Sequence, residues 1–231
     1  MFCFGKDRGP SEKPMDAHEI SQRKKKKDSA ANVMLVVGHS PGEGMTMYNG
    51  NAEQVYWQKA MADVERFKSI DLVDRHNIGK LKTVIYPKAS YKERVKVAVE
   101  EAKALDIDVC VELHINAAGI PEARGAEHLV AKGDRDSASL ATLFAGCYRS
   151  KTGIQLRGEY LGWSGVKGLS RKDRGHLFVR EMQKQGIRSF IFEPFFGDYR
   201  TEENKRYLDR PDEGRKELVE ILLNGLYRAL A

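Results

Sequence analysis

The sequence predicts an α/β fold, a single domain with a twisted, mostly parallel central sheet flanked by helices. Three observations predict it. Short β-branched apolar runs alternate with amphipathic helical stretches from Asn32 onward. Some of those runs are apolar at every position instead of at alternate ones, as strands buried on both faces are. And 231 residues with 41% hydrophobic content can bury one sizeable core but not comfortably two.

Residues 1–31 precede the first apolar run. They are polar and irregular, with Pro10, Pro14 and the basic run Arg23-Lys24-Lys25-Lys26-Lys27. A disordered basic tail is expected there, serving either as a solvated segment or as an electrostatic anchor to a polyanion. The domain is expected over 32–231. Val33-Met34-Leu35-Val36-Val37 reads as a buried strand that ends at Gly38-His39-Ser40-Pro41-Gly42 and so sets His39 at the carboxyl end of a central strand.

A helix follows from about Ala52 to Phe67, with Val55, Met61, Val64 and Phe67 as its apolar stripe and Glu53 in its first turn. Short strands are expected near Asp71–Asp74 and around Thr83–Tyr86. An amphipathic helix then runs from about Ser90, a suitable N-cap, to Ala104. Ile107–Ile115 reads as a second buried strand carrying His114 at its end. A strand over Gly125–Lys132 and a helix over Asp136–Ser150 come next. Residues 151–173 read as a long Gly-rich connection bearing Trp163, a candidate groove-lining loop. A helix from about Arg174 to Lys184 leads through Gly186 to the strand Ser189–Phe192, closed by Glu193. The last helix spans about Pro211–Ala229, with Pro211 suited to its first turn.

Composition excludes some classes and leaves others open. No stretch approaches the roughly 18 consecutive apolar residues of a membrane span, and the first residues lack the apolar core of a signal peptide. Three cysteines, Cys3, Cys110 and Cys147, cannot all pair and none stands in Cys-x-x-Cys spacing, which favours a reducing compartment of synthesis. Cys110, within an apolar run, reads as a small core residue. The net charge of +6 draws the surface toward polyanions without choosing among them.

Ligand sites in open α/β sheets gather at the carboxyl ends of strands. Three buried runs here end in ionisable residues, His39, His114 and Glu193, and Glu53 arrives on the helix after the first. Two histidines and a glutamate are a known zinc ligand set that leaves a position for water, and a further carboxylate can then take that water's proton. Taken singly, each residue has an ordinary structural alternative: a hydrogen-bonded turn histidine, a first-turn glutamate complementing the helix dipole, or a strand-end carboxylate paired with an arginine.

Four segments together carry a resemblance: Val36-Val37-Gly38-His39-Ser40-Pro41-Gly42; Glu53; Glu112-Leu113-His114-Ile115-Asn116-Ala117-Ala118; and Phe192-Glu193-Pro194-Phe195-Phe196-Gly197-Asp198. In order and spacing these resemble the zinc-dependent N-acetylmuramoyl-L-alanine amidases of the third type, across the chain from Val33 to its C-terminus. The resemblance implies a phosphorylase/hydrolase-like α/β architecture, zinc held by His39, Glu53 and His114, and Glu193 as the general base and later acid. It implies bacterial peptidoglycan as the partner, cut between N-acetylmuramic acid and the L-alanine of the stem peptide. Gly125-Ala126-Glu127 and Leu177-Phe178-Val179-Arg180 resemble further parts of that family.

Asn116, Trp163 and His176 are candidate substrate contacts, with a turn-stabilising amide, a loop-packing aromatic and a surface histidine as the alternatives. His128 reads as structural, His18 lies in the tail and His76 in a turn. Glu112 departs from the family, which more often has a small hydroxyl residue there; it is either an extra carboxylate near the metal or part of an ion pair. The inhibitory helix that some family members carry is not evident in residues 151–173, so an open site is expected. A monomer is expected, with nucleic acid not a partner and no membrane span. The absence of an export signal points to a phage lysin made in the host cytoplasm and acting on the wall, with an exported bacterial enzyme as the alternative. Another zinc amidohydrolase or carboxypeptidase, or a non-catalytic module gripping walls or polyanions, are the competing functions.

Overall fold

Four of the apolar runs, each largely buried, become neighbours in the interior of one sheet. A computed structural model describes residues 30–68, 78–158 and 164–231. The expected tail with its lysine run and His18, the strand near Asp71–Asp74, His76 and Trp163 lie outside the described residues. Those from Ala31 to Ala231 form one compact unit.

The strands are β1 (Ala31–Val37), β2 (Ile78–Ile85), β3 (Val109–Leu113), β4 (Glu127–Ala131), β5 (Val166–Leu169) and β6 (Arg188–Glu193). They line up in the order β2-β1-β3-β6-β4-β5. Pairing is parallel except between β4 and β6, so the sheet is mostly parallel as its sequence predicts. The central strands β1, β3 and β6 are in register, with Val37 beside Leu113 and Leu113 beside Phe192. Their carboxyl ends therefore finish in one row.

The helices are α1 (Glu53–Lys68), α2 (Tyr91–Ala104), α3 (Arg135–Thr152), α4 (His176–Lys184), α5 (Lys205–Leu208) and α6 (Pro211–Ala229). Alternation along the strands divides the core into two. On one face, Leu35, Val37, Val111, Leu113, Phe190 and Phe192 pack with Trp57 of α1, Phe144 of α3 and Leu222 of α6. On the other, Met34, Val36, Cys110 and Ile191 pack with Val95 and Ala98 of α2 and Phe178 and Met182 of α4. Cys110 is fully buried, as expected of a core residue.

The buried ion pair from Arg215 Nε to Asp63 Oδ2, 2.7 Å, ties α1 to α6 and so steadies the helix that begins with Glu53. His128 stands in an aromatic enclosure, stacked on Phe192 at 5.3 Å between centroids and edge-on to Phe144 and Tyr148. Its Nδ1 faces the Gly165 carbonyl at 3.3 Å while its Nε2 has no partner.

The differences from expectation fall on the sheet edges and one loop. Strand β2 starts at Ile78, earlier than expected, because Gly79, Lys80 and Lys82 interrupt its apolar pattern where the edge faces solvent. Residues 151–173 are not one irregular connection: they contain β5, whose four residues include Lys167 and Gly168 and so give little apolar signal. Helix α5 was not expected from the sequence, and its four residues are too few for helical periodicity to declare itself.

Helix α2 starts where its cap says it should. Ser90 accepts the Glu93 N–H, and the Glu93 carboxylate accepts the Ser90 N–H at 2.9 Å, a reciprocal capping box. Ser90→Ala is expected to lower stability by about 1 kcal/mol, read as a reduced urea midpoint with unchanged m-value.

Candidate metal centre

The carboxyl ends of β1 and β3 deliver two histidines to one point. After Val37 the Gly38 N–H donates to the Leu113 carbonyl at 3.0 Å, and the His114 N–H donates to the Phe192 carbonyl at 3.0 Å. The ladder thus continues one residue past the strands, and His39 and His114 leave it facing each other. Their rings meet edge-on, 4.7 Å between centroids, with His114 Nδ1 3.1 Å from His39 Nε2. Glu53, the first residue of α1, completes the group: Oε2 lies 3.4 Å from His39 Nε2 and Oε1 lies 3.3 Å from His114 Nδ1.

The Glu53 carboxylate is almost fully buried and is aimed by backbone. The Ile115 N–H donates to Oε1 at 2.8 Å and the Met45 N–H to Oε2 at 3.2 Å. Burial opposes its charge, but hydrogen bonding to His114 and the charges of both histidines hold its pKa below the usual range. Burial, helped by the charge of His114, lowers His39. For His114, burial also opposes charge, but hydrogen bonds to Glu112 and Glu53 outweigh it and raise the ring to about 10.

Two glycines make room for this arrangement. A Cβ on Gly38 would lie 2.0 Å from His114 Nε2, and one on Gly44, at φ +89°, would lie 2.9 Å from His39 Cδ2 and 3.0 Å from Glu53 Oε2. The rings are seated on bare backbone. One donor atom from each of His39, Glu53 and His114 falls within 4.8 Å of the others. Two imidazole nitrogens and a carboxylate oxygen aimed at one another repel unless a proton or a cation lies between them. This nitrogen and oxygen set fits a divalent metal of the zinc type.

Glu193 closes β6 one position beyond Phe192, and it pairs across the sheet with Glu127. Burial pushes its carboxyl up to about 7; Glu127 and Glu53 add to the rise, while His114 and Arg157 oppose it. Glu127 is itself held by Arg157, 2.7 Å from guanidinium to Oε2, and that guanidinium lies 4.9 Å from the Phe196 ring centroid.

Of the other candidates, Asn116 spends its side chain within the chain. Its amide donates to Glu127 and its Oδ1 accepts the Ala117 N–H at 2.9 Å. His176 opens α4 with Nδ1 2.9 Å from the Asp173 carbonyl, and no contact joins it to the His39 group among the described residues. Glu112 is wholly buried and does not point between the two histidines: its Oε2 meets the other nitrogen of His114, Nε2, at 3.5 Å.

Sequence reading missed Arg94, which donates to the Gly38 carbonyl at 3.0 Å and pairs with Glu43 at 3.0 Å, so that α2 holds the loop bearing His39. Its signal was a charged residue beside the buried stripe Val95, Ala98 and Ala102. The seats at Gly38 and Gly44 were missed too, because a glycine's role in making room is visible only once its neighbour is placed.

The fold and this group define an α/β domain with a His-Glu-His centre at the carboxyl edge of its sheet. No protein-family model matches the chain, and no curated protein matches it in sequence. Solved structures do match. The N-acetylmuramyl-L-alanine amidase Ami1 from Mycobacterium smegmatis is similar at 16% identity and a TM-score of 0.67, over 88% of this chain and 98% of that one. An N-acetylmuramoyl-L-alanine amidase from Clostridium difficile 630 matches at 17% identity and 0.64, over 86% and 95%. The catalytic domain of the CD27L endolysin, which targets Clostridia difficile, matches at 17% identity and 0.58, over 85% and 96%. The fold is therefore the one these amidases have.

Gly38→Ala is expected to displace the His114 ring and weaken divalent-metal binding by about tenfold or more, the size of effect that disturbed ligand support produces. Equilibrium dialysis against zinc checks it. Binding as tight as that of the unaltered protein would show that the ring tolerates the move.

Proposed function

We propose that this protein is a zinc-dependent N-acetylmuramoyl-L-alanine amidase that hydrolyses the amide between the lactyl group of N-acetylmuramic acid and the L-alanine of the stem peptide in bacterial peptidoglycan. The observation that carries the reading is the convergence of donor atoms from His39, Glu53 and His114 within 4.8 Å, beside a carboxyl raised to about 7 on Glu193. The names of the matched structures supply the substrate.

His39, Glu53 and His114 would hold the ion. When bound, zinc supplies Lewis-acid polarisation of the amide carbonyl and lowers the pKa of water toward neutrality, from about 15.7 in bulk. Glu193 accepts the proton of the attacking water as its oxygen bonds to the lactyl carbonyl carbon. It then returns that proton to the alanine nitrogen as the carbon–nitrogen bond breaks. The products are a lactyl carboxylate and a stem peptide with a free alanine amine. Raised by burial, the Glu193 carboxyl is suited to both transfers, since a group poised near the working pH gives up a proton nearly as readily as it takes one. Peptidoglycan places the site of action at the wall, and no described helix is long and apolar enough to cross a membrane.

Purified peptidoglycan is expected to release stem peptides beginning with free L-alanine, to stop doing so after chelation and to resume on zinc addition, followed by mass analysis of the fragments. Cleavage at another bond would point to a different amidohydrolase, and no release from any wall type to a binding module. His39→Ala and His114→Ala are expected to lose zinc. Glu193→Gln is expected to keep zinc and lose about 10²- to 10⁴-fold in turnover, the usual contribution of a general base. Glu193 is the working base only when ionised, so kcat/KM should fall as pH drops through its pKa. That acid limb is expected between the ordinary 4.5 and about 7, since bound cation opposes the rise. A profile flat across this range would remove Glu193 from the role.

A further inference from the structure

We infer that Glu112 is a positioning residue for the metal: it holds the Nε2–H of His114 from behind, so that Nδ1 is the nitrogen offered to the ion. The inference rests on the metal-centre reading above.

Glu112 and His114 are two residues apart at the end of β3, so their side chains share a face of the sheet. His114 turns Nδ1 toward His39 Nε2 at 3.1 Å and Glu53 Oε1 at 3.3 Å, and Nε2 toward Glu112 Oε2 at 3.5 Å. The ring is thus caught between the ligand group on one side and a carboxylate on the other. The Glu112 carboxylate is itself fixed: Oε1 accepts the Tyr86 hydroxyl and Oε2 the Tyr91 hydroxyl, each at 3.4 Å. The Arg94 guanidinium lies 5.5 Å from the Tyr86 ring centroid and 5.4 Å from that of Tyr91, bracing both phenols from α2.

A carboxylate with no solvent exposure is costly to bury without a use for its charge. Behind a metal-bound histidine it has three. It accepts the Nε2–H that would otherwise be buried unpaired, fixes the tautomer with its lone pair on Nδ1, and makes the ligand more basic. Gly38 leaves the side of the ring at Nε2 clear of any side chain, since a Cβ there would fall 2.0 Å from that nitrogen.

The test is zinc affinity, measured by competition with a chromophoric chelator on the full chain, with thermal unfolding recorded alongside. Glu112→Gln keeps the shape and loses the charge, and is expected to weaken zinc by about tenfold; Glu112→Ala is expected to weaken it more, toward about 100-fold. Loss of thermal stability with zinc affinity within twofold of the unaltered protein would make Glu112 a packing residue and overturn the inference. If neither variant folds, the unaltered zinc-loaded protein decides: a long-range proton–nitrogen spectrum is expected to place the metal on Nδ1 and a slowly exchanging proton on Nε2 of His114. Metal on Nε2 would overturn the inference. Failure of the unaltered protein to bind zinc at all is a separate result and would overturn the metal centre itself.

Discussion

The in-register pairing of β1, β3 and β6 is the constraint on which everything else rests. It sets Val37, Leu113 and Phe192 in one row, and the next residues along carry the ladder into the site. Because side chains alternate along a strand, slipping β3 by one residue would turn His114 and Glu112 to the opposite face and put Leu113 in their place. The two apolar cores on either side of the sheet forbid that slip. The same burial that stabilises the fold therefore holds His39 and His114 face to face.

Around that row the protein gathers four carboxylates, and it treats each differently. Glu53 is aimed by two backbone N–H groups, Glu112 by two phenols and a ring nitrogen, and Glu127 by Arg157 and Asn116. Glu193 differs because burial and its acidic neighbours outweigh the cations near it. Groups of one chemical kind are thus given different electrostatic settings by their surroundings alone.

The parts of the fold that were legible in the sequence are those where one force dominates. Val33–Val37 is apolar throughout and could only be a buried strand; Ser90 with Glu93, and Pro211, announce helix starts through capping chemistry. Strands β2 and β5 hid because edges mix lysine and glycine into the pattern. His39, Glu53, His114 and Glu193 could be picked out by their positions at strand ends and a helix start. The role of Glu112 could not, because alternation reveals a residue's face but not its partners, and Tyr86 and Tyr91 reach it from a separate strand end and helix. Arg94 was opaque for the same reason.

The aromatic enclosure of His128 carries a consequence for endurance in acid. Burial lowers this ring's pKa from 6.5 to about 4, so it is neutral in the folded protein where an unfolded chain would already be protonated. Below pH 6.5 the unfolded state binds the extra proton and the native state loses ground, a loss complete once pH has passed below about 4. A proton held tenfold less tightly in one state than in the other is worth about 1.4 kcal/mol, so this single ring can forfeit roughly 3 kcal/mol, a sizeable share of a domain's margin. Because His128 pairs with Phe192, the residue before Glu193, acid strains the core at the strand that ends in Glu193. A fold built this way meets acid in two places, at the Glu193 carboxyl on the edge of its site and at a ring in its interior.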